Sequence, residues 1–225
     1  NISGVTYKKV SDSSKYYQDV LNDDHISVSL DSTNKDGSKN YIFGYKGQTF
    51  GNVYSDDIII KTVSKNGESI GIDNYEATST LGTNTSNSIS ISSESENNTA
   101  IGIKVIRGSQ TLEGSNIFIS AKGTTNTNQS STTAAIWLQN NTQDKDIQNS
   151  STLLTINAKN IEIKSNNIGI AAFSNSQAKI TGNIQLSAKT IIDTRGNSVV
   201  KINDDGLHTS ILNGDIAFET PYTPD

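Results

Sequence analysis

The sequence contains no cysteine, so neither a disulfide framework nor a thiolate metal site is available to it. That absence fits a chain that stays unfolded while crossing an envelope, where a premature disulfide would obstruct passage. Methionine is missing too, even at residue 1, which is Asn. The chain therefore reads as a mature or excised piece whose leader is out of view. No apolar run approaches the roughly 20 residues of a membrane-spanning helix, and direct membrane insertion of this piece is not expected. Arginine occurs only at Arg107 and Arg195, and the net charge is −5. A nucleic-acid surface needs a dense basic stripe, so no nucleic-acid partner is expected.

Leucine is scarce as well, with 10 residues against 29 isoleucines. A helical protein would favour Leu, Ala, Glu and Lys. A β-branched apolar set suits a pleated surface, and the expectation is all-β. Ser, Thr and Asn supply 81 of the 225 residues, a composition that can also mean disorder. The isoleucines, however, fall in short alternating runs bounded by Asn, Gly, Ser and Asp, the pattern of half-buried strands between turns.

A repeat organises those runs. Asn160-Ile161-Glu162-Ile163, Ile168-Gly169-Ile170 and Ala178-Lys179-Ile180-Thr181-Gly182 are followed by Asn183-Ile184-Gln185-Leu186, Ile191-Ile192 and Val200-Lys201-Ile202-Asn203. The offsets are 23 for Ile161 to Ile184, 23 for Ile168 to Ile191 and 22 for Ile180 to Ile202. Upstream, the first strand recurs at Ile58-Ile59-Ile60, Ile89-Ser90-Ile91 and Ile117-Phe118-Ile119. The second recurs at Ile70-Gly71-Ile72, Ile101-Gly102-Ile103 and Ile136-Trp137-Leu138. Strands this short cannot bury an apolar face alone, whereas stacked repeats line the isoleucines into interior columns.

The expected fold is thus a parallel β-helix (β-solenoid) over 26–218, with three short strands per rung and about six rungs. Residues 1–25 read as a cap or irregular segment, with a short helix possible at Ser13 to Leu21. Residues 219–225 read as a tail at the edge of a longer solenoid. Alternation within each Ile-x-Ile strand turns the outer residues inward and sends Gly71, Gly102, Gly169 and Trp137 outward. Asn160 and Asn183 share one corner, where stacked carboxamides can form a ladder.

The Asn-Ile-x-Ile, Ile-Gly-Ile and Ala-x-Ile-Thr-Gly pattern, over about residues 58–218, resembles the passenger domains of bacterial autotransporters, in particular the adhesin-like ones. The resemblance implies a right-handed three-sided β-helix on the bacterial cell surface, anchored in the outer membrane through a region this chain does not contain. It also implies adhesion, autoaggregation or biofilm formation, with a host or matrix protein or glycan, or a like molecule, as partner.

The competing class is a polysaccharide lyase or glycoside hydrolase, since such enzymes share the fold. Hydrolysis needs two positioned carboxyl groups. Asp23-Asp24, Asp56-Asp57 and Asp204-Asp205 each read as turn residues. His25 and His208 lack a general-base or metal motif, and Asp193 with Arg195 is the nearest approach to lyase chemistry. An offset of 23 would set Asp193 on the inward column of Ile170; a one-residue slip that puts Ile192 there avoids the buried charge. No catalytic residue, metal or cofactor is expected.

Binding is expected where polar excursions, about 121–133 and 139–151, leave the scaffold. Trp137 lies between them beside Gln139, Asn140 and Asn141, and an outward ring there would stack on a sugar or anchor a protein. The alternative is that the loops fold over Trp137 and make a small satellite core.

Overall fold

The computed structural model describes residues 2–3, 21–22, 25–32, 42–47, 51–124, 132–140 and 152–218, with side chains from residue 53 to 217 within them. In chain order the strands are β1 Ile2–Ser3, β2 Leu21–Asn22, β3 His25–Ser32, β4 Ile42–Gly47, β5 Gly51–Tyr54, β6 Asp57–Ser64, β7 Ser69–Tyr75, β8 Thr78–Gly82 and β9 Ser88–Ser95. They continue with β10 Ala100–Ile106, β11 Ser109–Lys122, β12 Ala134–Gln139, β13 Thr152–Ser165, β14 Ile168–Phe173, β15 Ser176–Arg195, β16 Val199–Ile202 and β17 Ser210–Phe218. There is no helix among the described residues, and Leu21, expected at a helix end, lies in β2. Within the proposed cap, Ile2–Ser3, Leu21–Asn22 and His25 are strand; its other residues, and the 219–225 tail, fall outside the described ones.

The seventeen strands of the described residues join one curled sheet, and the pairings among them are parallel except for β1, which runs antiparallel to β3. Parallel neighbours follow because equivalent segments of successive repeats travel the same way. The predicted first-strand column is present: Ile58, Ile89, Ile117, Ile161 and Ile184 lie level across β6, β9, β11, β13 and β15. A second column runs Ile60, Ile91, Ile119, Ile163, Leu186, and a third Ile72, Ile103, Ile136, Ile170, Ile192. Together with Leu81, Leu112, Ile156 and Ile180 they form the main core. Each such side chain contributes about 1.5–3 kcal/mol by leaving water, and none could do so without level neighbours.

The strands are longer than three residues because corners are turned inside them: β15 carries what the repeat pattern reads as a third, a first and a second strand. Gly182 takes one such corner at φ 148°, where an added Cβ would lie 2.0 Å from the Ala158 carbonyl oxygen.

The expected outward direction of Gly71, Gly102 and Gly169 is corrected. A Cβ on them would point into the main core, 2.7 Å from Ile91 Cγ2, 2.9 Å from Ile119 Cγ2 and 2.9 Å from Leu186 Cδ2. At this bend two successive residues face inward, so alternation slips by one. Ile70, Ile101 and Ile168 consequently leave the main core and join a second cluster across the sheet. The register also places Trp137 level with Lys104, not with Gly102.

Candidate functional site

Strand β12 sends Ile136 and Leu138 into the main core and Trp137 to the opposite side, as alternation requires. The ring is nevertheless only 7% exposed. Ile70, Ile101, Ala134, Ile168 and Ala171 pack around it, and Phe173 meets it edge-on with ring centroids 4.9 Å apart. Ala171, level with Trp137 in β14, is small enough to leave room for the indole. The indole Nε1 donates to Gln139 Oε1 at 3.2 Å. Asn140 is buried and its backbone N–H donates to the Phe173 carbonyl at 3.3 Å. The structure thus brings Trp137, Gln139 and Asn140 together as a packed cluster instead of an open ring. Asn141 lies outside the described residues, as do most of the two polar excursions.

One repeat further on, Ile192 is level with Ile170 and Asp193 with Ala171, the one-residue slip that keeps the carboxylate out of the main core. Asp193 is buried on the outer side, and Arg195 grips both its oxygens, Nε to Oδ1 at 3.0 Å and Nη2 to Oδ2 at 2.9 Å. The same guanidinium lies over Phe173, 5.4 Å from the ring centre. Trp137, Phe173, Arg195 and Asp193 form one continuous stack in which a planar cation links an aromatic cluster to a buried acid.

The other acids serve turns and ladders. Asp57 Oδ1 accepts from Ser88 Oγ at 2.7 Å, one repeat away. Asp205 Oδ1 accepts from the Leu207 backbone N–H at 2.9 Å, and Oδ2 lies 3.2 Å from His208 Nδ1. The Leu207 amide, assisted by His208, holds the Asp205 carboxyl below its ordinary value of 3.8. Asp23-Asp24 lie outside the described residues. Among the described residues no three His, Cys, Asp or Glu side chains converge as a metal site.

An exposed surface that the sequence reading did not single out lies on the outer face of the first-strand column. Ile59, Ser90, Phe118, Glu162, Gln185 and Ile211 lie level in successive strands and alternate with the inward isoleucines. Phe118 is 42% exposed and Ile211 51%. Between them is a shallow groove of about 260 Å³ floored by Glu162 and Gln185. Asn160 and Asn183 edge it at the shared corner the repeat predicted. The expected carboxamide ladder is present one step earlier, where Asn160 Nδ2 donates to Asn116 Oδ1 at 2.9 Å. Asn183 Oδ1 instead accepts from the Thr209 backbone N–H at 3.2 Å. The signal for the groove was the middle residue of each Ile-x-Ile, unreadable as a set until the register was known.

These features define an all-β chain of in-register parallel strands with a packed aromatic cluster and an open lateral groove. No family model, curated protein or solved structure matches the chain.

Proposed function

We propose that this chain is part of a right-handed parallel β-helix, three strands to a rung and about six rungs long, belonging to a bacterial surface adhesin of the autotransporter passenger type. It attaches cells to one another, to host tissue or to matrix through its lateral faces and loops, from an outer-membrane-anchored position. The supporting observation is the outward column Ile59, Ser90, Phe118, Glu162, Gln185, Ile211, exposed at Ile59, Phe118, Gln185 and Ile211 and half-buried at Ser90 and Glu162, which presents apolar and polar groups at a regular spacing along the stacking direction. Weak contacts repeated at that spacing add up through multivalency.

Beads coated with the purified chain test the reading. Attachment to bacterial cells, host cells or matrix above that of albumin-coated beads is expected, with analytical ultracentrifugation reporting any like-to-like contact. Inert beads, together with release of reducing ends or unsaturated products from a polysaccharide panel, would favour a polysaccharide-degrading enzyme instead.

A further inference from the structure

The lateral groove has a chemistry that selects a ligand class. Its strands β11, β13 and β15 are paired on both edges, so their backbone groups are engaged in ladders, whereas β17, which closes the far end with Ile211, is paired among the described residues with β15 alone. An extended peptide cannot add to the first three as a strand. What the groove offers over β11, β13 and β15 is side chains: an exposed aromatic face, a carboxylate, and the carboxamides of Asn160 and Asn183, whose orientation is set. Asn160 spends its Nδ2 on Asn116, and Asn183 spends its Oδ1 on Thr209. The acceptor of one and the donor of the other are thereby left for a ligand, while the Gln185 amide has no hydrogen-bond partner among the described residues. Glu162 is paired with Lys164, and the chain's net charge of −5 disfavours a polyanion. From Phe118 to Ile211 there are three inter-strand steps, about 14 Å at roughly 4.8 Å per step.

We infer that this groove binds a neutral linear glycan laid along the stacking direction, one sugar ring on Phe118 and hydroxyls on Glu162, Gln185, Asn160 and Asn183. The inference rests on the adhesin reading and names the ligand class that such attachment would use. Aromatic C–H contact supplies the anchor and the carboxamides supply orientation, the usual division of labour in a carbohydrate site.

Calorimetric titration of the chain with cello-, malto- and chito-oligosaccharides tests it, with bead attachment measured in parallel. Saturable binding to at least one series is expected, weakened about tenfold by Phe118→Ala and by Gln185→Ala. Lys179→Ala, on a different exposed stretch of β15, should leave affinity unchanged, and circular dichroism should be the same for all three variants. The inference is overturned by no saturable binding, by equal loss in Lys179→Ala, or by a peptide occupying the groove in place of any oligosaccharide. If beads attach while neither groove variant matters, the groove assignment fails and adhesion stands. If oligosaccharides bind with the expected variant pattern but beads stay inert, adhesion fails and the groove assignment stands.

Discussion

Two interior columns change chemistry from one region of the molecule to the other. In the 57–112 region one carries Asn74 and then Val105, the other Ser79 and Gln110; further along, the first continues with Leu138, Ala172 and Thr194 and the second with Leu154, Ala178 and Val200. Asn74 and Gln110 are fully buried but not unsatisfied. Asn74 Nδ2 donates to the Ser109 carbonyl at 3.0 Å and to Gln110 Oε1 at 3.1 Å, while its Oδ1 accepts from the Ala77 N–H. Gln110 Nε2 reaches the carbonyls of Ser79 and Thr111. Nearby, Thr62, Ser69 and Ser93 close a buried hydroxyl cluster of the same kind. Repeats of this architecture can therefore be knit either by aliphatic packing or by side chains that satisfy corner backbone groups, provided each buried polar atom finds its partner in the next repeat.

Exchanging the two chemistries is the strongest way to break that comparison. Ile156→Gln puts the carboxamide of the polar region into the aliphatic one, between Leu112 and Ile180, where no carboxamide partner awaits it. A loss of about 3–5 kcal/mol is expected from the lost apolar burial and the stranded amide, read as a fall in the urea midpoint. Asn74→Leu does the reverse and leaves the Ala77 N–H and the Ser109 carbonyl without their partner, for about 1–3 kcal/mol by the same assay. A neutral outcome for Asn74→Leu would mean that the buried network is dispensable and the regional difference is incidental. The smallest effect is expected at the exposed turn between β16 and β17. The folded Asp205 carboxyl titrates below 3.8, so its contribution is present above the ordinary carboxylate range and fades as pH falls through the lowered folded value. Asp205→Asn should remove that acid dependence with little change in melting at neutral pH. A carboxyl resonance titrating at or above 3.8 would contradict it.

Much of the fold was legible because inward isoleucines recur at near-constant offsets. Ile58, Ile89 and Ile117, and the downstream Ile161 and Ile184, were placed in one column from the sequence and are level in the structure. The upstream second strand was aligned as the structure has it from Ile70 to Ile101, but Ile136-Trp137-Leu138 was set off register across the longer connection before β12, which moved Trp137 two positions from its expected level. The direction of Gly71, Gly102 and Gly169 was missed for a different reason. Strict alternation holds within a straight strand and fails at a corner, where glycine lets a second residue turn inward. A packed Trp137 was the alternative reading, but its packing partners were illegible because Ile70, Ile101, Ile168 and Phe173 come to it from other repeats. The groove escaped for the same reason, its floor and ends being separated by 44, 23 and 26 residues.

In-register parallel stacking is the claim on which the columns, the buried network and the groove all depend. Spin labels on single cysteines introduced at Ile59 and Gln185 test it most directly, since the native chain has no cysteine to interfere. These residues are 126 positions apart in sequence but four inter-strand steps apart on one exposed column. Pulsed dipolar spectroscopy should return a narrow distribution centred near 19 Å between backbones, from steps of about 4.8 Å. A broad distribution, or a mean well beyond that separation, would contradict the stacking.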